Sequence, residues 1–365
     1  LGSATTVSFG GVSTSDVTIL SDGSIQVTVP AGAGSGDVKV VTAGGVATKG
    51  GFTFIDDFDV SSSDVTVSPS TAIPASTGDS FASIIVTVRN ENDIVMSDVD
   101  VTFDVVGVAP GVTLSATNAV TPSGSELRVV TNADGKATAR VSSTMTGSVN
   151  VLVQLENTDG NLEALETVTV SFTSASINTS ASDVTVSPST LTADGSSTAT
   201  LTVTLKDAFG NVVTGNTDPV VFTLMRVGTS TTLSATDQGN GTYTAIFTAG
   251  TMPAVLTVQT NVGAVVLDAT PTLTLIPGAA DHFDIVMDDG PLPLGGALPT
   301  VRVRLVDAYG NLVATDGAPV TITLTNEAGE PIDLPEGTLT GTSTATLVNG
   351  TASFQDLTIL EPGTY

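Results

Sequence analysis

The sequence predicts an all-β protein built as a tandem array of β-sandwich modules. The first reason is repetition: Ser63-Asp64-Val65-Thr66-Val67-Ser68-Pro69-Ser70-Thr71 returns unchanged at Ser182 to Thr190, and Thr113-Leu114-Ser115-Ala116-Thr117 returns in the same register at Thr232 to Thr236. Two blocks in one register, about one sandwich module apart, indicate tandem units. The second is composition. Apolar residues make up 40% of the chain but aromatics only 4%, with no Trp, so the cores must be built from Val, Ile, Leu and Thr, whose β-branched members favour strands. The third is punctuation, since short alternating runs are separated by Asn-Gly, Asp-Gly and Gly-rich turns. A chain of 365 residues has room for three or four domains at about 100–150 residues each.

Residues 1–56 read as short strands, Thr5 to Phe9, Val17 to Leu20, Ser24 to Pro30, Val38 to Thr42 and Phe52 to Phe54, with turns at Ser21-Asp22-Gly23 and Ala31 to Gly36. Residues 60–174 and 180–277 are the registered repeats. Each opens on Asp-Val-Thr-Val-Ser-Pro, whose Pro marks a strand end or edge. Each continues into a longer strand, Ile84 to Arg89 or Ala199 to Lys206, and then into Val99 to Phe103 or Val220 to Leu224. Asn132-Ala133-Asp134-Gly135 and Gln238-Gly239-Asn240-Gly241 make the next tight turn. Residues 278–365 begin again, with Val301 to Asn311 paralleling Thr202 to Asn211 and Val348-Asn349-Gly350 paralleling the Asn240-Gly241 turn.

Two resemblances follow. Thr6-Val7-Ser8-Phe9-Gly10-Gly11, Ile25 to Pro30 with its Gly-rich turn, and Gly44 to Thr48 make residues 1–56 similar to IPT/TIG immunoglobulin-like domains, with the opening strands of that family missing. The strand, Asp-Ala-aromatic-Gly-Asn turn and downstream Asn/Asp-Gly turn make residues 60–365 resemble bacterial Ig-like (Big-1) domains of invasin- and intimin-type adhesins, most closely in the second repeat. The first repeat departs from the pattern, with Asn90-Glu91-Asn92-Asp93 where Asp-Ala-Phe-Gly-Asn would stand, so a role tied to that turn does not carry over to it by sequence. The resemblance implies Ig-like sandwiches in an extended rod.

Net charge is -27, from 37 acids and 10 bases. No basic stripe exists to neutralise phosphates, which excludes nucleic acid, and the charge opposes anionic membrane surfaces. The absence of Cys removes thiolate metal sites and Cys nucleophiles. No run of about 20 apolar residues is suited to insert in a membrane. His282 is the only histidine, no G-x-S-x-G or H-E-x-x-H is present, and no catalytic constellation emerges. The expectation is a non-enzyme without a cofactor.

Asp207 to Asn211 and Asp307 to Asn311 read as tight turns in which the Asp accepts backbone N–H bonds and the aromatic packs beneath; one carboxylate and one amide are too few for a tight calcium loop. Acids also gather at junctions. Asp56, Asp57, Asp59 and Asp64 follow the first module, and Asp281, Asp284, Asp288 and Asp289 open the last. Oxygen ligands between tandem domains suit calcium, but the spacing fits neither an EF-hand nor a glycine-rich nonapeptide, and a solvated hinge is the favoured reading. Asn178-Thr179-Ser180, Asn240-Gly241-Thr242 and Asn349-Gly350-Thr351 match the glycosylation sequon, the last two being hairpin turns first.

The first module lacks opening strands and the last lacks a closing one. This predicts either a window of a longer polypeptide or a subunit that borrows strands from neighbours, the window being favoured. The expected role is a structural stalk or adhesin segment of a bacterial extracellular surface protein. Its partners would be neighbouring domains of the same or identical chains, and a host-cell, surface or glycan ligand. A self-assembling filament or sheath and a carbohydrate-binding accessory module are the alternatives.

Overall fold

In a computed structural model, the described residues are 6–20, 24–30, 32–52, 57–107, 109–123, 126–287, 296–325 and 338–360. Among them all regular structure is strand, and no helix is long and apolar enough to cross a membrane. The chain divides into two compact units, 1–173 and 174–365.

The first unit holds two cores. Near its start, Val12–Thr14, Thr6–Phe9, Gly36–Thr42 and Gly45–Phe52 form one antiparallel sheet and Val17–Ile19 pairs with Ile25–Val27. Val7, Phe9 and Ala33 are buried here, and the Phe9 and Phe52 rings meet at 4.9 Å.

Residues 64–173 form a complete sandwich. One sheet runs Val112–Ser115, Lys136–Ser143, Ala82–Thr87, Asp64–Ser68. The other runs Ala119–Ser123, Glu126–Val130, Asp100–Val105, Gly147–Glu156, Leu162–Thr173, Ile73–Pro74. The opening segment therefore serves both sheets: Asp64–Ser68 pairs antiparallel with Ala82–Thr87, and Ile73–Pro74 runs parallel to Leu162–Thr173. Strand alternation sends Ile84, Val86, Phe103, Leu127, Val141, Val151, Val153 and Leu155 into one core.

The second unit repeats this plan. Asp183–Ser187, Thr198–Thr204, Thr242–Thr248 and Thr236–Asp237 make one sheet; Thr190–Thr192, Thr272–Ile276, Ala254–Val262, Val220–Arg226 and Thr229–Ser234 make the other. Ser68-Pro69 and Ser187-Pro188 are both cis. Leu201, Leu205, Phe222, Leu224, Val258 and Leu273 fill the core. In residues 278–360, His282–Val286, Val301–Val306 and Thr351–Phe354 form a sheet, with Pro319–Thr321 paired to Thr344–Thr346 and Leu339–Thr340 to Thr358–Ile359; Val303, Leu347 and Phe354 are buried among them.

The repeats diverge at one identical sequence. In the first, Thr113-Leu114-Ser115 pairs with Arg140 to Ser142 in the four-stranded sheet. In the second, the same residues, Thr232-Leu233-Ser234, pair with Val221 to Thr223 in the opposite sheet. The cause lies just downstream. The first repeat inserts the hairpin Ala119–Ser123/Glu126–Val130, and Glu126–Val130 takes the edge of Asp100–Val105. With that edge filled, Val112–Ser115 crosses to Lys136–Ser143. The second repeat lacks the insertion, so Thr229–Ser234 takes the edge itself and only Thr236–Asp237 reaches Thr242–Thr248.

Core truncation should be costly here. Phe222 is fully buried, and Phe222→Ala is expected to lower stability by about 3–5 kcal/mol. Thr260 faces the same core with a buried hydroxyl lacking a partner, so Thr260→Val is expected to raise stability by about 1 kcal/mol. Chemical denaturation reads both signs in one experiment.

Candidate functional site: the turns that join modules

One five-residue turn recurs through the chain, and its chemistry begins with an Asn or Asp in first place. At Asp207, the backbone N–H bonds the Asn211 carbonyl at 2.9 Å and the Asp207 carbonyl takes the Gly210 N–H at 3.1 Å. The side chain locks the loop, with Oδ1 accepting the N–H groups of Phe209 and Asn211, both at 2.9 Å. The turn needs a left-handed residue in fourth place, supplied by Gly210 at φ 86°. Asp307 repeats every bond, with Tyr309 and Asn311 N–H on Oδ1 and Gly310 at φ 81°.

The second carboxylate oxygen reaches outside the turn. Asp207 Oδ2 accepts the Ala175 N–H and the Asn211 Nδ2 at 2.9 Å each. Asp307 Oδ2 accepts the Gly278 N–H at 2.8 Å and the Asn311 Nδ2 at 2.9 Å. Ala175 and Gly278 lie in the chain entering each module, so one buried carboxylate ties the turn to the incoming backbone. Four donors per carboxylate satisfy a charge that would otherwise be costly to bury. Burial pushes the Asp307 carboxyl up, but the Asn311 side chain and the N–H groups of Gly278, Asn311 and Tyr309 outweigh it and lower it from the ordinary 3.8 to about 2. Burial likewise pushes the Asp207 carboxyl up, but the Asn211 side chain and the N–H groups of Ala175, Asn211 and Phe209 outweigh it and lower it.

The aromatics are where sequence reasoning fails. They were expected beneath the turn, yet Phe209 and Tyr309 are 41% and 53% exposed. The loop is closed by the Asp and the Gly alone, which leaves the third side chain pointing outward. Tyr309 Oη donates to the Asp194 carbonyl at 2.8 Å, and Asn311 Nδ2 donates to the Thr251 carbonyl at 2.9 Å. Both acceptors belong to loops of the preceding sandwich. The Asp194 loop is itself fastened, its carboxylate taking the N–H and hydroxyl of Ser197 and the N–H of Ser196, which hold its carboxyl well below the usual range.

The first repeat uses the same turn after all. Asn90 N–H bonds the Ile94 carbonyl, Asp93 N–H bonds Asn90, and Asn90 Oδ1 accepts the N–H groups of Asn92 and Ile94. Asp93 takes the glycine's place at φ 64°, a conformation Asp tolerates better than most residues. Asn132 and Asn157 close two further copies. The signal was an Asn or Asp with Gly or Asp three places on, visible at 90, 132, 157, 207 and 307.

A second fixture accompanies the turn. Gly135, Gly241 and Gly350 offer their carbonyls to the N–H groups of Val88, Leu205 and Leu305. A Cβ on Gly135 would stand 2.9 Å from the Val88 carbonyl and 2.8 Å from Val95 Cβ, so the residue must be glycine at its φ of 69°.

The junction acids fall into place one by one. Asp59, Asn178 and Asp281 are equivalent: their N–H groups bond the carbonyls of Arg89, Lys206 and Val306, the residues before or within the strand end that leads to each turn. Asp59 takes the Ser61 N–H and the Ser61 and Ser62 hydroxyls, which lower its carboxyl. Asn178 takes the Ser180 and Ala181 N–H groups with an uncharged amide. Asp57 caps Phe58, Asp64 is exposed at the start of its strand, Asp281 pairs with His282 at 2.8 Å, and Asp284 lies 3.8 Å from Arg304. Asp56, Asp288 and Asp289 lie outside the described residues. Among the described residues no three His, Asp or Glu side chains converge on one point. Asn240 and Asn349 sit at exposed hairpin turns, while Asn178 closes its own turn.

Comparison with known proteins gives a family match within the second unit. Residues 178–278 match the family model described as Invasin, domain 3. Over 224 residues the chain is 27% identical to the inverse autotransporter adhesin YeeJ of Escherichia coli strain K12, covering 60% of this chain and 8% of that protein. Among solved structures, the Escherichia coli adhesin FdeC is 23% identical with 84% of this chain and 91% of that one covered at a TM-score of 0.46. Invasin, a bacterial integrin-binding protein, is 15% identical, with 96% and 66% covered at a TM-score of 0.44.

The lowered Asp307 carboxyl sets a pH dependence. A depressed value stabilises the fold in full above the ordinary 3.8, and that contribution is lost as pH falls through about 2. Wild type is expected to outlast Asp307→Asn on heating at neutral pH, the gap closing as pH approaches about 2; a gap that holds at every pH would exclude the charge as its source. Residues 178–278, which hold the second complete sandwich, are similar to invasin domain 3.

Proposed function

We propose that the chain is a non-enzymatic stalk or adhesin segment of a bacterial extracellular surface protein, with modules bounded at 1–56, 60–174, 180–277 and 278–365 and the first akin to IPT/TIG domains. The observation that carries this reading is the joint: Tyr309 and Asn311 bond the Asp194 and Thr251 carbonyls while Asp307 holds the Gly278 backbone. Three bonds from one turn restrict bending between consecutive sandwiches, which is what a stalk requires. The invasin domain 3 match and the kinship with an inverse autotransporter adhesin support the same role. The chain spans a small part of that relative's length, so the ligand belongs to the proposal. It is a host-cell or surface component met by the whole protein.

Because the chain has no Cys, spin labels can be placed cleanly. With Thr200→Cys and Thr321→Cys, both exposed, the label-to-label distance distribution is expected to be narrow and to broaden when Tyr309→Phe and Asn311→Ala are added. An equally broad distribution in both proteins would remove the stiff joint and the reading with it. Calcium at the junction carboxylates is a separate proposal, tested by adding calcium to a chelator-treated sample: a raised melting temperature supports it and an unchanged one removes it.

A further inference from the structure

We infer that the sandwich of residues 183–276 carries a docking site for an extended, acidic polypeptide segment with apolar residues at alternate positions, which would add a strand beside Ile246–Thr248. The inference is independent of the stalk reading and starts from the two fates of one sequence. In the first repeat, Val112–Ser115 pairs with Arg140 to Ser143 and covers that edge. In the second, the same sequence lies on the other sheet, and Thr236–Asp237 pairs only with Tyr243 and Thr244. Among the described residues, no strand covers the edge from Ile246 to Thr248.

The bare edge has the polarity to accept a strand. Ala249 donates its N–H inward, to Ser197. Alternation along an antiparallel strand then turns the N–H and C=O groups of Ile246 and Thr248 outward. Their counterparts in the first repeat, Arg140 and Ser142, face Val112–Ser115. Ile246 is 67% exposed. Beside the edge opens a cleft of about 500 Å³, whose apolar wall includes Leu224, Phe247 and Leu256, a place for the inward-facing side chains of an added strand. Main-chain bonds and alternate side-chain pockets are the two requirements of strand addition.

Charge selects the occupant. Among the described residues, Arg226 is the only charged one lining the cleft; its Nε donates to Thr229 Oγ1 at 3.0 Å, and it forms no ion pair there. The chain's net charge of -27 opposes an acidic partner at a distance. Salt screens that field beyond about 8 Å, whereas a contacting guanidinium is screened far less. The cleft also adjoins the joint, since Thr251 lines it and accepts the Asn311 amide.

The test uses the full chain and a fluorescent peptide of residues 109–117, the segment that covers the equivalent edge, together with its Gly111→Asp form and a scrambled control. Both ordered peptides should bind, the acidic one about threefold tighter. Ile246→Pro deletes an outward N–H on an edge strand, where Pro is tolerated, and should weaken both at least about tenfold; its melting midpoint reports whether the sandwich survives. Arg226→Glu, on the surface, should abolish or reverse only the acidic preference. Binding indifferent to both substitutions, binding equal to the scrambled control, or none up to about 1 mM would overturn the proposal. Self-association of the chain that Ile246→Pro abolishes, without peptide binding, would give the edge to a second copy and equally overturn it.

Discussion

The structure depends on a carboxylate that is buried and fully satisfied. Asp207 and Asp307 each gather four N–H donors, two from the loop they close, one from the Asn that ends it and one from the backbone entering the module. Hydrogen bonds to an ionised acceptor are roughly twice as strong as neutral ones, and a buried charge without them would be expelled or protonated. The consequence is coupling. The first oxygen closes the turn and the second fastens the incoming backbone to it, so one side chain fixes both. A local loop motif thereby becomes a statement about where one module ends and the next begins.

The same loop also appears where no charge is needed. Asn90, Asn132 and Asn157 close it with an amide oxygen, because only Oδ1 takes part in closing the loop. The second oxygen is what distinguishes Asp207 and Asp307, and a carboxylate can accept on both sides where an amide accepts on one. Asn at 90 and Asp at 207 and 307 are therefore equivalent in shape and different in reach. Tyr309 extends that reach. Released from packing under the loop, the aromatic is free to meet whatever precedes it, and in Tyr309 a hydroxyl finds a carbonyl.

Much of this was legible in the residues. Val-Thr-Val alternation, Asx-Gly turns and the exact recurrence of the Ser63 to Thr71 block led directly to strands, hairpins and tandem sandwiches, because period-two patterning is a property of each strand alone. The turn at Asp207 could be read as an Asp accepting backbone N–H bonds for the same reason. The Asn90 copy was hidden because Asp93 replaces the expected glycine and only its φ of 64° reveals the equivalence. The outward reach of Tyr309 was hidden because its partner is a loop of another module, far away in sequence. Junction acids such as Asp59 looked like ligands by composition; their hydrogen bonds to neighbouring serines are visible only once the loop is folded.

The pentapeptide Thr-Leu-Ser-Ala-Thr shows the limit of local reading most sharply. Its residues are identical in both repeats, yet it joins opposite sheets. Nothing within the five residues can decide between them, since either edge offers a ladder of N–H and C=O groups and either face packs its Leu against a core. The decision is made by competition. Where Glu126–Val130 fills the edge of Asp100–Val105, the pentapeptide is displaced onto Lys136–Ser143 and both edges are covered. Where the insertion is absent, one strand must serve two edges, and it covers Val220–Arg226 while leaving most of Thr242–Thr248 bare. An inserted hairpin thus acts on a strand it follows in sequence, and two modules on one template come to differ in the surface they expose.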